Sequence, residues 1–205
     1  MAITALALNC SLKKSSGEPS STDAMIAVLD KHLRENGVEL TQTIRIADHA
    51  VPPGVTSDEG EGDEWPGIRQ KILDHDILVF AGPVWMGQIS SLAKRVLERM
   101  DAFTGEIDDQ GRMPSYGKVA IAAIVGNEDG AHWSSSQLFQ SLNDTGWTIP
   151  AVAACYWVGE AMGGVDFKEL DETPEAVTRT AKMCTGNAAH LARLLKSEGY
   201  PGLKG

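Results

Sequence analysis

Only three cysteines occur, Cys10, Cys155 and Cys184, too few and too scattered for a disulfide framework or a metal-spaced cluster. A reducing setting and no metal centre are expected, and an added iron–sulfur cluster is excluded. Apolar runs such as Val119 to Val125 fall far short of the roughly 20 residues that cross a bilayer. No basic segment precedes an apolar stretch at the start, so a secretory signal is not expected. Neither Gly-x-Gly-x-x-Gly nor a Walker-type lysine occurs, which removes both standard nucleotide fingerprints. Basic residues are also scarce: 18 Lys and Arg face 28 Asp and Glu, for a formal charge of −10. That balance argues against nucleic acid and anionic membranes as partners. Cytoplasmic localisation fits all of these.

What is present is a core-forming chain. Apolar residues make up 42% of 205 positions, enough to fill one domain spanning 1–205. Strand-like runs alternate with segments of helical period. Ile3 to Leu8, Leu40 to Ile46, Ile77 to Phe80, Val119 to Val125 and Ile149 to Val158 read as five strands. Val119 to Val125 lacks in/out alternation, as a strand covered on both faces should. Met25, Val28, Leu29, His32 and Leu33 share one helix face, and Leu92, Val96, Met100 and Phe103 share another. A last helix runs from about Pro174 to Ser197, with Thr173 expected to cap it ahead of a first-turn proline. The pattern predicts an α/β parallel sheet with helices on both faces.

In such a sheet ligands bind beyond the carboxyl ends of the strands, where strand order reverses. Three loops there are unusual. The first, Asn9 to Thr22, holds five serines, a threonine and two lysines before a helix starting near Thr22. It is either a phosphate grip at a helix N-terminus or a solvated loop capped by Ser21 or Thr22. The second, Ala81 to Ser90, sets Trp85 and Met86 between glycines. These either cover a flat aromatic ligand or pack on a neighbouring helix or subunit. The third, Gly126-Asn127-Glu128-Asp129-Gly130, leads to His132 and Trp133, and its glycines permit close backbone approach or an ordinary turn. Together they describe a phosphate-bearing planar ligand without naming it.

At these loops the sequence resembles the NADPH-dependent FMN reductase and flavodoxin-like superfamily. Asn9-Cys10-Ser11-Leu12-Lys13 and Ser21-Thr22 occupy the family's first-loop places, with Cys10 where a glycine is usual and Ser15 to Pro19 added. The resemblance implies that Ser11, Lys13, Ser21 and Thr22 hold an FMN phosphate. Pro83, Val84, Trp85, Met86 and Gly87 would flank the ribityl chain and ring, and Gly126, Asn127, Glu128, Asp129 and Gly130 its pyrimidine edge. It implies a flavodoxin-like three-layer sandwich with five parallel strands in order 2-1-3-4-5. It also implies an oxidoreductase passing electrons from NADPH or NADH through FMN to a small acceptor, a quinone or free flavin, and a homodimer or homotetramer. His132 is the candidate proton source. The acidic Asp58 to Glu64 cluster suits the alternative of a flavodoxin-type carrier docking on a basic protein. The segment Tyr156 to Gly164 is either a substrate wall or a packing or dimer contact.

Overall fold

The computed structural model describes residues 2–203. Chain order is β1 (Ile3–Asn9), α1 (Ser21–Glu35), β2 (Val38–Arg45), α2 (Trp65–Leu73), β3 (Ile77–Trp85), β4 (Gln88–Ile89), α3 (Ser91–Met100), β5 (Val119–Gly126), α4 (Ala131–Asp144), β6 (Ala154–Val158) and α5 (Glu175–Ser197). Five parallel strands run β2-β1-β3-β5-β6, which is the expected order. One short strand was not anticipated: β4 folds back antiparallel on β3, pairing Val84 with Ile89 and Trp85 with Gln88. It turns the second loop into a hairpin.

Two apolar layers sandwich the sheet. On one face Met25, Leu29 and Leu33 of α1 and Ala181, Cys184 and Ala188 of α5 pack on Ala5, Val79 and Ile121. The small residues of α5 let that helix lie close to the strands. On the other face α2, α3 and α4 send Trp65, Ile68, Val96, Met100 and Leu138 against Leu6, Leu8, Phe80 and Ala122. Central β5 is buried from Val119 through Val125, whereas edge strand β2 alternates. Side-chain burial thus follows each strand's place in the sheet.

Several boundaries move. The strand expected from Ile149 begins only at Ala154, because Pro150 to Ala153 turn and Val152 takes φ +57°. Arg45, not Ile46, ends β2, and Ile46–Asp48 forms a short 3-10 turn. Thr173 does not cap the last helix. Pro174 is itself the N-cap residue, with no side-chain cap bond, and its φ of −55° and ψ of 141° are extended rather than helical. Helix α1 is capped one residue earlier than expected, by Ser20, whose hydroxyl accepts from the Asp23 amide while the Asp23 carboxylate accepts from the Ser20 amide. All three cysteines are free and buried. Burial pushes the Cys155 thiol up to about 12, which suits core packing and not reactivity. Among the described residues no helix is long and apolar enough to cross a membrane.

Candidate functional site

Strands β1 and β3 are neighbours whose following connections leave on opposite faces of the sheet, so a crevice opens beyond their carboxyl ends. The space between its walls, open to solvent, is about 650 Å³. Ser11, Lys13, Ser21 and Thr22 line one end; Pro83, Val84 and Trp85 form a wall; Gly126, Asn127 and Glu128 close a third side. The three loops singled out by composition therefore do meet.

At the hydroxyl-rich end the donors are free to face inward. Ser11 and Thr22 are buried to 5% and 1% exposure. Ser11 Oγ accepts from the Lys13 amide at 3.2 Å, and Ser21 Oγ accepts from the Lys168 amide at 3.4 Å. Each hydroxyl already accepts a bond, so its proton is left to donate. The amides of Ser21 and Thr22, first in the helix, have no carbonyl within the helix to bond. Hydroxyl protons, helix-end amides and the Lys13 ammonium make a donor set suited to a phosphate dianion. Nearby Asp23 is kept charged. Burial alone would raise its carboxyl, but bonds from the Ser20 amide, the Arg45 guanidinium and the Ser20 hydroxyl outweigh that and hold it below the usual range.

The opposite end is apolar. Val84, Trp85, Val125, Trp157 and Phe167 line it, and the Trp157 and Phe167 rings lie 5.5 Å apart, tilted by 48°. A Cβ at Gly159 would sit 2.5 Å from the Trp157 ring, so glycine there makes room for the indole. The hairpin tip is held by the third loop: the Glu128 carboxylate accepts from the Met86 amide at 2.9 Å and the Gly87 amide at 3.2 Å. Both tip residues have positive φ, Met86 at 53° and Gly87 at 74°. Gly130 (φ +132°) approaches so closely that a Cβ would lie 2.5 Å from the Gly87 carbonyl oxygen.

Met86, Gly87, Asp129 and Gly130 thus brace this junction and do not line the crevice, while Trp85 and Met86 remain exposed to 52% and 90%. His132 is set apart. The first turn of α4 aims it at edge strand β6, where its Nε2 lies 2.9 Å from the Tyr156 hydroxyl, on a separate open groove with Phe139 and Val152. Nothing in this geometry makes it a proton source for the crevice.

The segment Tyr156 to Gly164, read as a substrate wall or a packing contact, puts Trp157 into the crevice, and the residues that sequence reasoning missed follow it along the strap after β6. The Gly159 amide bonds the Gly126 carbonyl at 2.9 Å, and Asn127 Nδ2 reaches the Gly163 carbonyl at 3.1 Å. Farther on, Lys168 pairs with Glu18 of the first loop at 3.4 Å. Asp166 and Phe167 thereby enter the lining. Asp166 and Glu169 form a capping box, and the Asp-x-x-Glu spacing was the available signal. Ser20 and Leu12 also line the crevice.

Over residues 3–161 the sequence matches the NADPH-dependent FMN reductase family. The chain belongs to that family. Expectations of FMN, a nicotinamide reductant and a flavodoxin-like fold agree with the membership. The chain is 32% identical over 210 residues to the 8-demethyl-8-aminoriboflavin-5'-phosphate synthase of Streptomyces davaonensis, covering 98% of this chain and 81% of that one. It is 36% identical over 202 residues, 95% of its length, to a divalent metal cation transporter MntH of Mycobacterium bovis, and spans only 29% of that protein. The crystal structure of RosB with bound intermediate 8-demethyl-8-formylriboflavin-5'-phosphate superposes with a TM-score of 0.88 at 30% identity, covering 98% of this chain and 82% of that one. An NADH:FMN oxidoreductase in its apo form, at 16% identity and a TM-score of 0.66 over 96% of this chain and 91% of that one, shares the fold.

Proposed function

We propose that the chain, as one FMN-binding domain, uses FMN in this crevice to pass electrons from NADPH or NADH to a small acceptor such as a quinone or free flavin. The observation that carries this reading is the split of one crevice into a donor-rich end and an apolar, aromatic end. A flavin mononucleotide has the same two halves. FMN, when bound, supplies the two-electron redox chemistry.

The chain's residues do the holding. Ser11, Ser21, Thr22 and Lys13 grip the phosphate, each charge-assisted bond contributing about 1.5–3 kcal/mol. Trp85, Val84 and Trp157 flank the planar ring and exclude water from it, while exposed Trp85 and Met86 leave one approach open to a reductant. Exposed Trp85, Met86 and Trp133 also support a homodimer or homotetramer, which light scattering at micromolar concentration tests.

The carrier alternative keeps its acidic surface, although part of the segment is tied internally. Asp63 is buried against Arg99, Glu64 bonds His49 and the Ala50 amide, and Glu59 bonds Thr56. Asp58, Glu59, Glu61 and Glu64 stay exposed, so most of the acidic segment still faces outward. The test of function is spectral: purified protein titrated with FMN, then with NADPH or NADH and a quinone. Flavin bleaching and quinone turnover without a second protein support the enzyme; a protein that does not take up FMN ends the proposal.

A second reading is favoured by the likeness to RosB with its modified flavin phosphate. Here FMN is itself the substrate. Mass spectrometry of the flavin recovered after turnover separates the two: unchanged mass supports electron transfer, and altered mass supports chemistry on the ring.

A further inference from the structure

The first loop, from Cys10 to Ser20, is polar, mostly exposed and without secondary structure of its own over most of its length. Groups outside it set its shape. Asn9 Oδ1 accepts from the Ser11 amide at 2.9 Å, and Asp48 Oδ1 from the Ser15 amide at 3.0 Å. Asp23 Oδ2 accepts from the Ser20 amide at 2.7 Å, and Arg45 Nη1 donates to the Lys13 carbonyl at 3.0 Å. All but the Asp48 tie converge on one carboxylate. Asn9 Nδ2 donates to Asp23 Oδ1 at 2.6 Å, and Arg45 Nη2 donates to Asp23 Oδ2.

Asp23 poses a difficulty for an anion site. As the third residue of α1 it completes the capping box and suits the positive helix end. It also places negative charge beside the amides and hydroxyls that would receive a phosphate, in a partly desolvated setting where repulsion is poorly screened. Arg45, at the end of β2 and only 10% exposed, answers both needs. One guanidinium arm neutralises Asp23, and the other holds the Lys13 carbonyl.

We propose that Arg45 is the positioning residue that makes this crevice select phosphorylated over unphosphorylated flavin. It acts through Asp23 and the loop and does not itself line the crevice. The inference rests on reading the crevice as an FMN site. It also gives β2, the edge strand, a share in ligand choice that its own loop composition does not show.

The test is a fluorescence titration of wild type, Arg45→Met, Arg45→Lys and Arg45→Met/Asp23→Asn with FMN and with riboflavin, alongside each variant's Tm. Arg45→Met is expected to weaken FMN at least about tenfold, the scale of one uncompensated charge several ångströms away, with riboflavin unchanged. Removing the Asp23 charge in the double variant is expected to recover most of that loss, although it also weakens the capping box. Arg45→Lys, the milder change if Arg45→Met fails to fold, is expected to lose FMN affinity alone. A wild-type FMN-to-riboflavin ratio in both single variants overturns the inference and leaves the crevice reading intact, as does a loss shared equally by riboflavin. Wild type that binds neither flavin overturns both.

Discussion

At the carboxyl ends of the strands the space between the crevice walls, open to solvent, is about 650 Å³, while a wider open hollow of about 1160 Å³ lies at the other end of the sheet, among Glu106, Asp108, Arg112, Tyr116, Lys118 and Tyr200. Size favours the hollow; chemistry favours the crevice. In the hollow the polar groups are engaged: Arg112 pairs with Asp108 at 2.9 Å, and Lys118 Nζ donates to the His75 carbonyl at 3.1 Å. In the crevice, hydroxyl protons and helix-end amides remain free to donate. Convergent unpaired donors, and not volume, mark the end of this sheet proposed to bind the flavin.

That contrast breaks most directly with Ser11→Ala/Thr22→Val. Losing two charge-assisted donors is expected to weaken FMN by about 3–6 kcal/mol in titration while riboflavin holds, and equal losses for both flavins would place the phosphate elsewhere. Next is Arg99→Met, away from both ends. The Arg99–Asp63 pair is 0% and 1% exposed, and Arg99 also bonds the Thr56 and Pro52 carbonyls. Removing one partner leaves a buried charge and is expected to cost about 3–5 kcal/mol in urea unfolding. Met86→Gly relieves a left-handed backbone and is expected to stabilise by about 1 kcal/mol, read as a rise in Tm.

Smaller effects sharpen the comparison. Lys118→Met in the hollow should leave FMN affinity unchanged. It should also alter the pH profile of stability, because burial holds the Lys118 amine below its ordinary value of 10.5. The unfolded chain then binds the proton more tightly, so this lysine costs stability below its folded value and the cost fades as pH rises towards 10.5. Wild type should therefore gain on Lys118→Met as pH rises, and parallel profiles would contradict the assignment. His132→Ala should leave flavin turnover unchanged, since its ring faces Tyr156 outside the crevice.

Much of the crevice was legible because its loops follow strands that composition already revealed. The unbroken apolar run of β5 marked a central strand, and the glycines of 126–130 marked its loop. Asp166 and Phe167 were not legible as lining, because only the strap's return towards the first loop brings them there, whereas Trp157 lies in the segment already read as a candidate wall. Nor was the hairpin at β4. Its Met86 and Gly87 amides bond a carboxylate 42 and 41 positions away, and no local pattern reports that. His132 misled for the converse reason: its place in the chain is beside the third loop, but the helical turn sends its ring outward.

Local chemistry in the chain decided the order of elements, the faces they bury and the supply of phosphate donors, because periodicity and capping act over a few residues. Tertiary structure alone decided which of those donors stay free, which carboxylate is neutralised by Arg45 and which aromatic rings meet. Those outcomes depend on partners brought together by the sheet from distant stretches of sequence, and a pairing that spans the chain leaves no mark on its neighbours.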